Sequence, residues 1–126
     1  MVQIDREKNI AMIEIQGQPT ILNIREIVES LLFNPDHQDG MDELWDFRHA
    51  SLANFTVEDL MSLAVFLTQH LDRLGKRVAL VVGRDLEYGI GQMWGAYAEE
   101  SAPRERRLFR CMDEAFVWLA PQAHVH

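Results

Sequence analysis

The chain has 126 residues and a formal net charge of −8, from 20 acidic and 12 basic side chains. This length fits a single domain, and an apolar share of 48% is enough for a hydrophobic core. A nucleic-acid partner is disfavoured because its phosphates demand a basic face. Membrane insertion is disfavoured because no apolar run in the sequence approaches the roughly 18 residues of a spanning helix.

The first third of the sequence predicts a hairpin and a helix. Two strands are expected at 2–5 and 10–16, joined by a short polar connection. A helix follows, because apolar residues recur at the helical spacing in Ile24, Ile27, Val28, Leu31 and Leu32. Either Thr20 or Asn23, the latter with Glu26 as the second member of a capping box, is placed to cap this helix.

The remainder predicts strands alternating with helices. Strand LWDFR (44–48) precedes a helix at 56–74 that Gly75 would end. The uninterrupted apolar run VALVV (78–82) is typical of a parallel strand buried on both faces. A helix over 85–100, a short strand near 106–110 and a last helix over 112–119 complete the chain.

This order predicts an α/β fold. We expect a mixed sheet of about five strands, an N-terminal antiparallel hairpin followed by parallel strands, with about four helices. The domain should cover residues 1–120, leaving 121–126 as a flexible tail. The single cysteine, Cys111, cannot form an internal disulfide, and the N-terminus lacks the apolar centre of a signal peptide. A cytoplasmic location is therefore expected.

Four stretches resemble the SpoIIAA-like group, also labelled STAS/SEC14-like, and the resemblance covers about residues 1–120. They are LWDFRHASL, the Thr-x-Glu-Asp-Leu helix start at 56–60, RVALVVGRDLEYGIGQMW and FRCMDEAFVWL. The resemblance implies the SpoIIAA-like fold and two unrelated uses of it. STAS domains, such as anti-sigma factor antagonists, bind proteins, and SEC14-type domains carry lipids in an apolar pocket.

The phosphorylation motif of STAS switches is not reproduced in this sequence. Where that family has Asp-Ser-Ser-Gly at a helix N-terminus, this chain has Asn54-Phe55-Thr56-Val57. Thr56 is the candidate phosphoacceptor, with Ser51 a poorer one. As an N-cap residue, however, Thr56 also has a purely structural role, and nearby Glu58 and Asp59 would repel a phosphate.

Residues for a hydrolase occur between positions 46 and 51. Asp46, His49 and Ser51 supply the side-chain types of a catalytic triad, but no nucleophile elbow surrounds Ser51. A cation could bind the acidic cluster Asp36, His37, Asp39, Asp42 and Glu43, although its spacing does not match an EF-hand. We favour a solvated loop there, predict no metal site or cofactor, and do not take His124 and His126 as a preformed site.

Glycines in the helix predicted at 85–100 are its unusual feature. Gly89, Gly91 and Gly95 each lower helix stability relative to alanine, which indicates a close backbone approach or a bulky ligand. The neighbouring Gly83 completes no phosphate-binding motif, since Walker A and Rossmann patterns both fail. Leu86, Ile90, Met93, Trp94 and Tyr97 are expected on one side of this helix.

The function that best fits these features is a non-enzymatic binding module, with a regulatory role open. Its partner would be another protein or a second copy of the chain. The surface would comprise loop 46–57, the helix start at 56 and the helix 85–100. The residues assigned to this partner or ligand surface are Asp46, Arg48, His49, Ser51, Thr56, Gly89, Gly91, Met93, Trp94 and Tyr97. The alternatives are a carrier of a small apolar ligand or lipid and, third, a hydrolase.

Overall fold

The structure, a computed structural model, describes residues 1–119. The strands are β1 (Val2–Asp5), β2 (Ile10–Gly17), β3 (Asp42–Ala50), β4 (Arg77–Val82) and β5 (Glu105–Phe109). The helices are α1 (Ile21–Leu32), α2 (Val57–Thr68), α3 (Asp85–Ser101) and α4 (Met112–Leu119). The segment predicted as a tail, with His124 and His126, lies outside the described residues.

One mixed sheet contains the five strands in the order β1-β2-β3-β4-β5. β1 pairs antiparallel with β2, and all later pairs are parallel. The hairpin turn contains Asn9 at φ 57°, a left-handed conformation that asparagine adopts more readily than most residues. The predicted α/β fold, with its antiparallel start and parallel continuation, is confirmed.

The helices divide unequally between the two faces of the sheet. α1, α2 and α3 cover one face, because right-handed crossovers between successive parallel strands place their helices on the same side. α4 follows the last strand and covers the opposite face. In β4, Val78, Leu80 and Val82 face the three helices, while Ala79 and Val81 face α4. Burial on both faces explains the uninterrupted apolar run.

The start of α1 settles the two alternatives for its cap. Thr20 is the N-cap: its hydroxyl accepts a hydrogen bond from the Asn23 N–H at 3.1 Å. The Asn23 side chain in turn accepts from the Thr20 N–H at 2.9 Å. The capping box is therefore Thr20 with Asn23, and the alternative with Asn23 as cap and Glu26 as its partner is wrong.

α2 ends at Thr68, six residues before the predicted end at 74. The apolar spacing continues to Leu74, but Arg73 is held elsewhere: its carbonyl accepts from the Gly40 N–H, and its side chain donates to the Leu32 carbonyl. Gly75 is not the C-cap of this helix. A Cβ at Gly75 would lie 2.1 Å from the Met41 carbonyl oxygen, so close backbone approach requires glycine there.

α3 lies over the sheet as predicted, and its inward side agrees with the expected one in part. Ile90 and Trp94 pack against the core as predicted, whereas Leu86 and Met93, expected on the same side, are exposed. The fully buried positions are Glu87, Gly91 and Ala98. For Leu86 and Met93 the prediction was wrong because it treated large apolar residues as inward, whereas a charged and two small residues occupy the buried positions.

Candidate functional site

The loop after β3 is fixed by a buried carboxylate from α3. Glu87 is only 1% exposed, and it accepts a hydrogen bond from the backbone N–H of Leu52 at 3.0 Å. Arg84 donates to both of its oxygens, at 2.7 and 2.8 Å. The same guanidinium lies 3.4 Å from the hydroxyl of Ser51. These contacts connect the loop at 51–52 to the first turn of α3.

Glu87 is the main residue of this region that the sequence analysis missed. Hydrogen bonds from Arg84 lower the pKa of Glu87 against the opposing effect of burial, so the carboxylate is charged at neutral pH. The sequence does contain a periodic signal for the inward position of Glu87. Along one side of α3, helical spacing relates Glu87, Gly91, Trp94 and Ala98. An acidic residue on an inward side requires a partner, and here the partner is a loop amide.

Asp46 is buried in the middle of β3 and is hydrogen-bonded to Arg48, two residues along the strand. Its Oδ1 accepts from the Arg48 backbone N–H at 3.0 Å and from Arg48 Nε at 2.9 Å. Its Oδ2 accepts from Arg48 Nη2 at 3.0 Å. Burial alone would raise the pKa of Asp46, but the Arg48 hydrogen bonds outweigh it and lower the pKa. A partner could therefore reach the exposed Arg48 but not the Asp46 carboxylate.

The three residue types of a triad are not joined by hydrogen bonds. Both Asp46 oxygens are occupied by Arg48, and the Ser51 hydroxyl has the Ala53 N–H and Arg84 as its neighbours, each at 3.4 Å. Among residues 1–119, no hydrogen bond links Asp46, His49 and Ser51. His49 is exposed. Within residues 1–119, the hydrogen bonds of the Ser51 hydroxyl therefore include no basic acceptor.

Thr56 is the N-cap of α2. Its hydroxyl accepts from the Asp59 N–H at 3.1 Å, and the Asp59 side chain accepts from the Thr56 N–H at 3.0 Å. The residue is exposed, as a phosphoacceptor must be. A phosphate on this hydroxyl would stand beside the Asp59 carboxylate and would displace the capping hydrogen bond.

Carboxylates of the acidic cluster pair separately with arginines. Asp36 lies 3.8 Å from Arg6, and Asp39 accepts from Arg73 at 2.9 Å. Glu43 accepts from Arg104 at 2.8 Å, and Asp42 accepts from the Arg77 backbone N–H at 3.1 Å. Within the described part of the chain, no group of three or more His, Cys, Asp or Glu residues is arranged to hold a metal ion.

An apolar cavity of about 80 Å³ lies between the sheet and the three-helix layer. Its walls include Leu52, Leu60, Leu63, Leu80 and Trp94. Ligand pockets for drug-sized molecules are several times larger, roughly 300 to 1,000 Å³. The cavity thus has room for a few carbon atoms rather than for a lipid.

Gly91 differs from the other glycines of α3. A Cβ at Gly91 would lie 2.6 Å from the Leu108 side chain, so the predicted close approach holds at this position. A Cβ at Gly89 or Gly95 would meet no atom of residues 1–119 within 4 Å, so close packing in this part of the chain does not explain these two glycines. Gly89 is exposed on the outer side of the helix, near the exposed Met93.

Large apolar residues lie on the outward side of α2 as well as on its inward side. Val57, Met61 and Val65 are 43%, 50% and 59% exposed, and they recur every four residues along one side. In the sequence, no Asp, Glu, Lys or Arg stands between Asp59 and Asp72. A solvent-facing helix side normally carries charged residues. We name Val57, Met61 and Val65 the α2 ridge.

The residues assigned to one surface from the sequence lie in three places. Arg48 and His49, with Asp46 beneath, lie at the end of β3; Ser51 and Thr56 lie in and after the loop that Glu87 fixes. Gly89 and Met93 are on the outside of α3, whereas Gly91 is buried, Trp94 lines the cavity and Tyr97 is half-buried. Cys111 is exposed, immediately before α4.

The structure resembles that of an uncharacterized protein of the DUF3478 family from Shewanella loihica PV-4, described as having a SpoIIAA-like fold. The two share 20% sequence identity and a TM-score of 0.57, over 94% of this chain and 92% of that one. The sequence matches no protein-family model and no curated protein. The chain therefore has a SpoIIAA-like α/β fold. Of the described helices, none combines the length and apolar character needed to cross a membrane.

Proposed function

We propose that this protein is a non-enzymatic binding module that acts by pairing with a second copy of itself through the α2 ridge. The observation that carries the proposal is the outward side of α2, which has no charged residue after its first turn and where Val57, Met61 and Val65 leave apolar side chains in water. Exposed apolar patches of this kind, as opposed to scattered single residues, mark interaction sites.

The spacing of the ridge favours a two-fold contact. Met61 stands midway between Val57 and Val65, four residues from each. If two α2 helices meet antiparallel, each Met61 faces its counterpart and each Val57 faces a Val65, so the patch is complementary to itself. Self-complementarity is the requirement for the two-fold dimers that dominate soluble oligomers.

The proposed contact extends beyond α2. A stable interface buries roughly 800 Å² from each partner, which three side chains alone do not provide. α3 packs beside α2 and exposes Leu86 and Met93, 48% and 43% accessible, on its own outer side. The exposed Gly89 lies between them in sequence. Because glycine has no side chain, another helix can approach the backbone of α3 closely at this position.

The loop that precedes α2 forms the rim in this proposal. Ser51 and Thr56 border the N-terminal end of the ridge, and the Glu87 contact to Leu52 keeps their loop in place. Phosphorylation of Thr56 would add nearly two negative charges at the end of the ridge. A regulatory role of the module would act at this point.

Sedimentation velocity of the wild-type chain and of Met61→Glu tests the proposal. The wild type should sediment as a dimer, at twice the 14.6 kDa of the chain. Met61→Glu should sediment as a monomer, because the two-fold axis would bring two carboxylates together in an apolar contact. Its thermal unfolding should remain near wild type, since Met61 is half-exposed.

A matched control uses an exposed apolar residue on the opposite face of the sheet. Val117 of α4 is 61% exposed, and Val117→Glu should leave the dimer intact. A wild-type chain that is monomeric at about 100 μM, well above a micromolar dissociation constant, would refute self-association. A dimer that both substitutions leave intact would show that pairing uses another surface.

A further inference from the structure

The apolar cavity beneath the three helices has one charged end. Glu43, Arg104 and Arg106 line it there, although charged residues are rarely buried unless paired. Glu43 is 3% exposed and accepts from Trp45 Nε1 at 2.9 Å and from Arg104 Nη2 at 2.8 Å. Glu43 and Arg104 therefore neutralise each other, and both Glu43 oxygens are occupied.

Arg106 is the incompletely paired member of this end. Its side chain is 8% exposed, and its Nη2 donates to the Ala102 carbonyl. Its buried Nη1 has no hydrogen-bond acceptor among residues 1–119. The nearest carboxylate, that of Glu99, lies 3.9 Å away and is itself 68% exposed. The guanidinium also lies 5.9 Å from the Trp94 ring.

The charges of the three residues do not balance. Two guanidinium groups share one buried carboxylate, which leaves an excess positive charge beside the cavity. Burial, and then the charge of Arg104, lower the pKa of Arg106 to about 10, so it still carries its proton at neutral pH. A buried charge without a full partner is costly to the fold. An anion placed at Nη1 would remove that cost.

We propose that the cavity and Arg106 form a binding site for a small apolar carboxylate, with its head at Arg106 Nη1 and its hydrocarbon tail in the cavity. The head group follows from the guanidinium, whose N–H donors match carboxylate oxygens. The tail follows from the apolar walls. Its size follows from the volume of about 80 Å³, which exceeds the share of one water, about 30 Å³, but falls short of a benzene cavity of about 150 Å³.

Arg106 also gives the site a route to solvent. An open surface cleft lies beside the cavity, and Arg104 and Arg106 line both of them. On the α3 side, the wall of this cleft is formed by Gly95, Ala96 and Glu99. A Cβ at Gly95 would meet nothing within 4 Å, so this part of the cleft is open. A ligand would enter there tail first, and its carboxylate would take the position facing Nη1 in place of Glu99.

The test compares butanoate, whose three-carbon tail matches the cavity, with 1-butanol, its neutral analogue, on the wild-type chain. Isothermal titration gives the affinities, and tryptophan fluorescence locates the site because Trp45 and Trp94 both line the cavity. Butanoate should bind at least about tenfold more tightly, since a charge-assisted hydrogen bond distinguishes the two. Equal affinities would refute the role of Arg106, and binding of neither at millimolar concentration would refute the site.

Two substitutions in β5 distinguish the specific effect of Arg106 on binding from the general effect of removing a positive charge. Arg106→Met keeps a long side chain and should lose the tenfold preference for butanoate. Arg107→Met removes an exposed arginine one position along and should keep that preference. If Arg106→Met retains the preference, the proposal is wrong. The wild-type comparison of acid and alcohol decides the question even if Arg106→Met does not fold.

In a third variant, Glu99→Gln, the acid is expected to bind more tightly rather than more weakly. Removing the carboxylate that lies 3.9 Å from Nη1 should tighten butanoate binding several-fold and leave 1-butanol binding unchanged. Weaker butanoate binding in Glu99→Gln would contradict the proposed head-group position. All titrations repeated on Met61→Glu should give the same affinities, so the outcome is independent of the proposed self-association.

Discussion

Glu87 in α3 accepts a hydrogen bond from the backbone N–H of Leu52, which precedes it by 35 residues. Both residues are buried, and Arg84 supplies the opposite charge from the solvent side, where it is 60% exposed. The loop before α2 and the first turn of α3 are thereby one unit. Its integrity matters to the proposed function because the α2 ridge begins directly after this loop.

Glu87→Ala should lower the free energy of unfolding by about 2 kcal/mol, because it leaves the buried N–H of Leu52 without an acceptor. Urea denaturation measures the change, and hydrogen exchange at the Leu52 amide should accelerate in the variant. Glu100→Ala, an exposed glutamate of the same helix, is the control and should stay within about 0.5 kcal/mol of wild type. Equal losses in the two variants would argue against a special role for Glu87.

The same carboxylate should make stability depend on pH. Arg84 lowers the pKa of Glu87 below its ordinary value of 4.5, so Glu87 binds its proton less readily in the folded than in the unfolded chain. Its contribution is therefore fully present above about pH 4.5 and is lost as the pH falls through the lower folded value. Glu87→Gln should show a shallower loss than wild type between about pH 5 and pH 3 in urea denaturation. Parallel pH profiles would contradict this assignment.

Glycine-to-alanine substitutions along α3 should differ by position. In the Met61→Glu chain, which is expected to be monomeric, Gly89→Ala should raise the free energy of unfolding by about 1 kcal/mol, because alanine favours the helix and its Cβ meets nothing within 4 Å among residues 1–119. Gly91→Ala should gain clearly less, because its Cβ would lie 2.6 Å from Leu108 and that side chain must shift. Thermal unfolding of both variants measures the difference. A larger gain at Gly91 than at Gly89 would contradict the described packing.

Capping by Thr56 should be measurable in isolation. Thr56→Ala removes the hydroxyl that accepts from the Asp59 N–H and should cost about 1 kcal/mol. Thr56→Ser keeps an acceptor in the same place and should lose at most half of that. Chemical denaturation of the two variants distinguishes the cap from a general effect of substitution. Stability of Thr56→Ala equal to wild type would show that the hydrogen bond contributes nothing.

Local patterns were sufficient for the strands and the helix starts. The run at 78–82 predicted a strand buried on both faces, and β4 is covered by α4 on one side and by three helices on the other. Thr56 was expected to cap a helix from its chemistry, and the cap is formed with Asp59. Information of this kind lies within a few residues, which is why a single sequence carries it.

Such local patterns could not predict contacts between segments that are distant in sequence. The early end of α2 depends on Arg73 reaching Leu32, 41 residues away, against a leucine spacing that continued the helix. The inward position of Glu87 depends on a loop amide, and the incomplete pairing of Arg106 can be recognised only once Glu43 and Arg104 are seen to satisfy each other. Each of these features required the tertiary structure.

The strand order places β1 and β5 at the two open borders of the sheet. Both are short, four and five residues, and β5 carries Glu105 and Arg107 outward with Arg106 pointing inward. Charged, short borders discourage the addition of a strand from a neighbouring molecule. Fibrillar stacking of molecules edge to edge is thereby opposed.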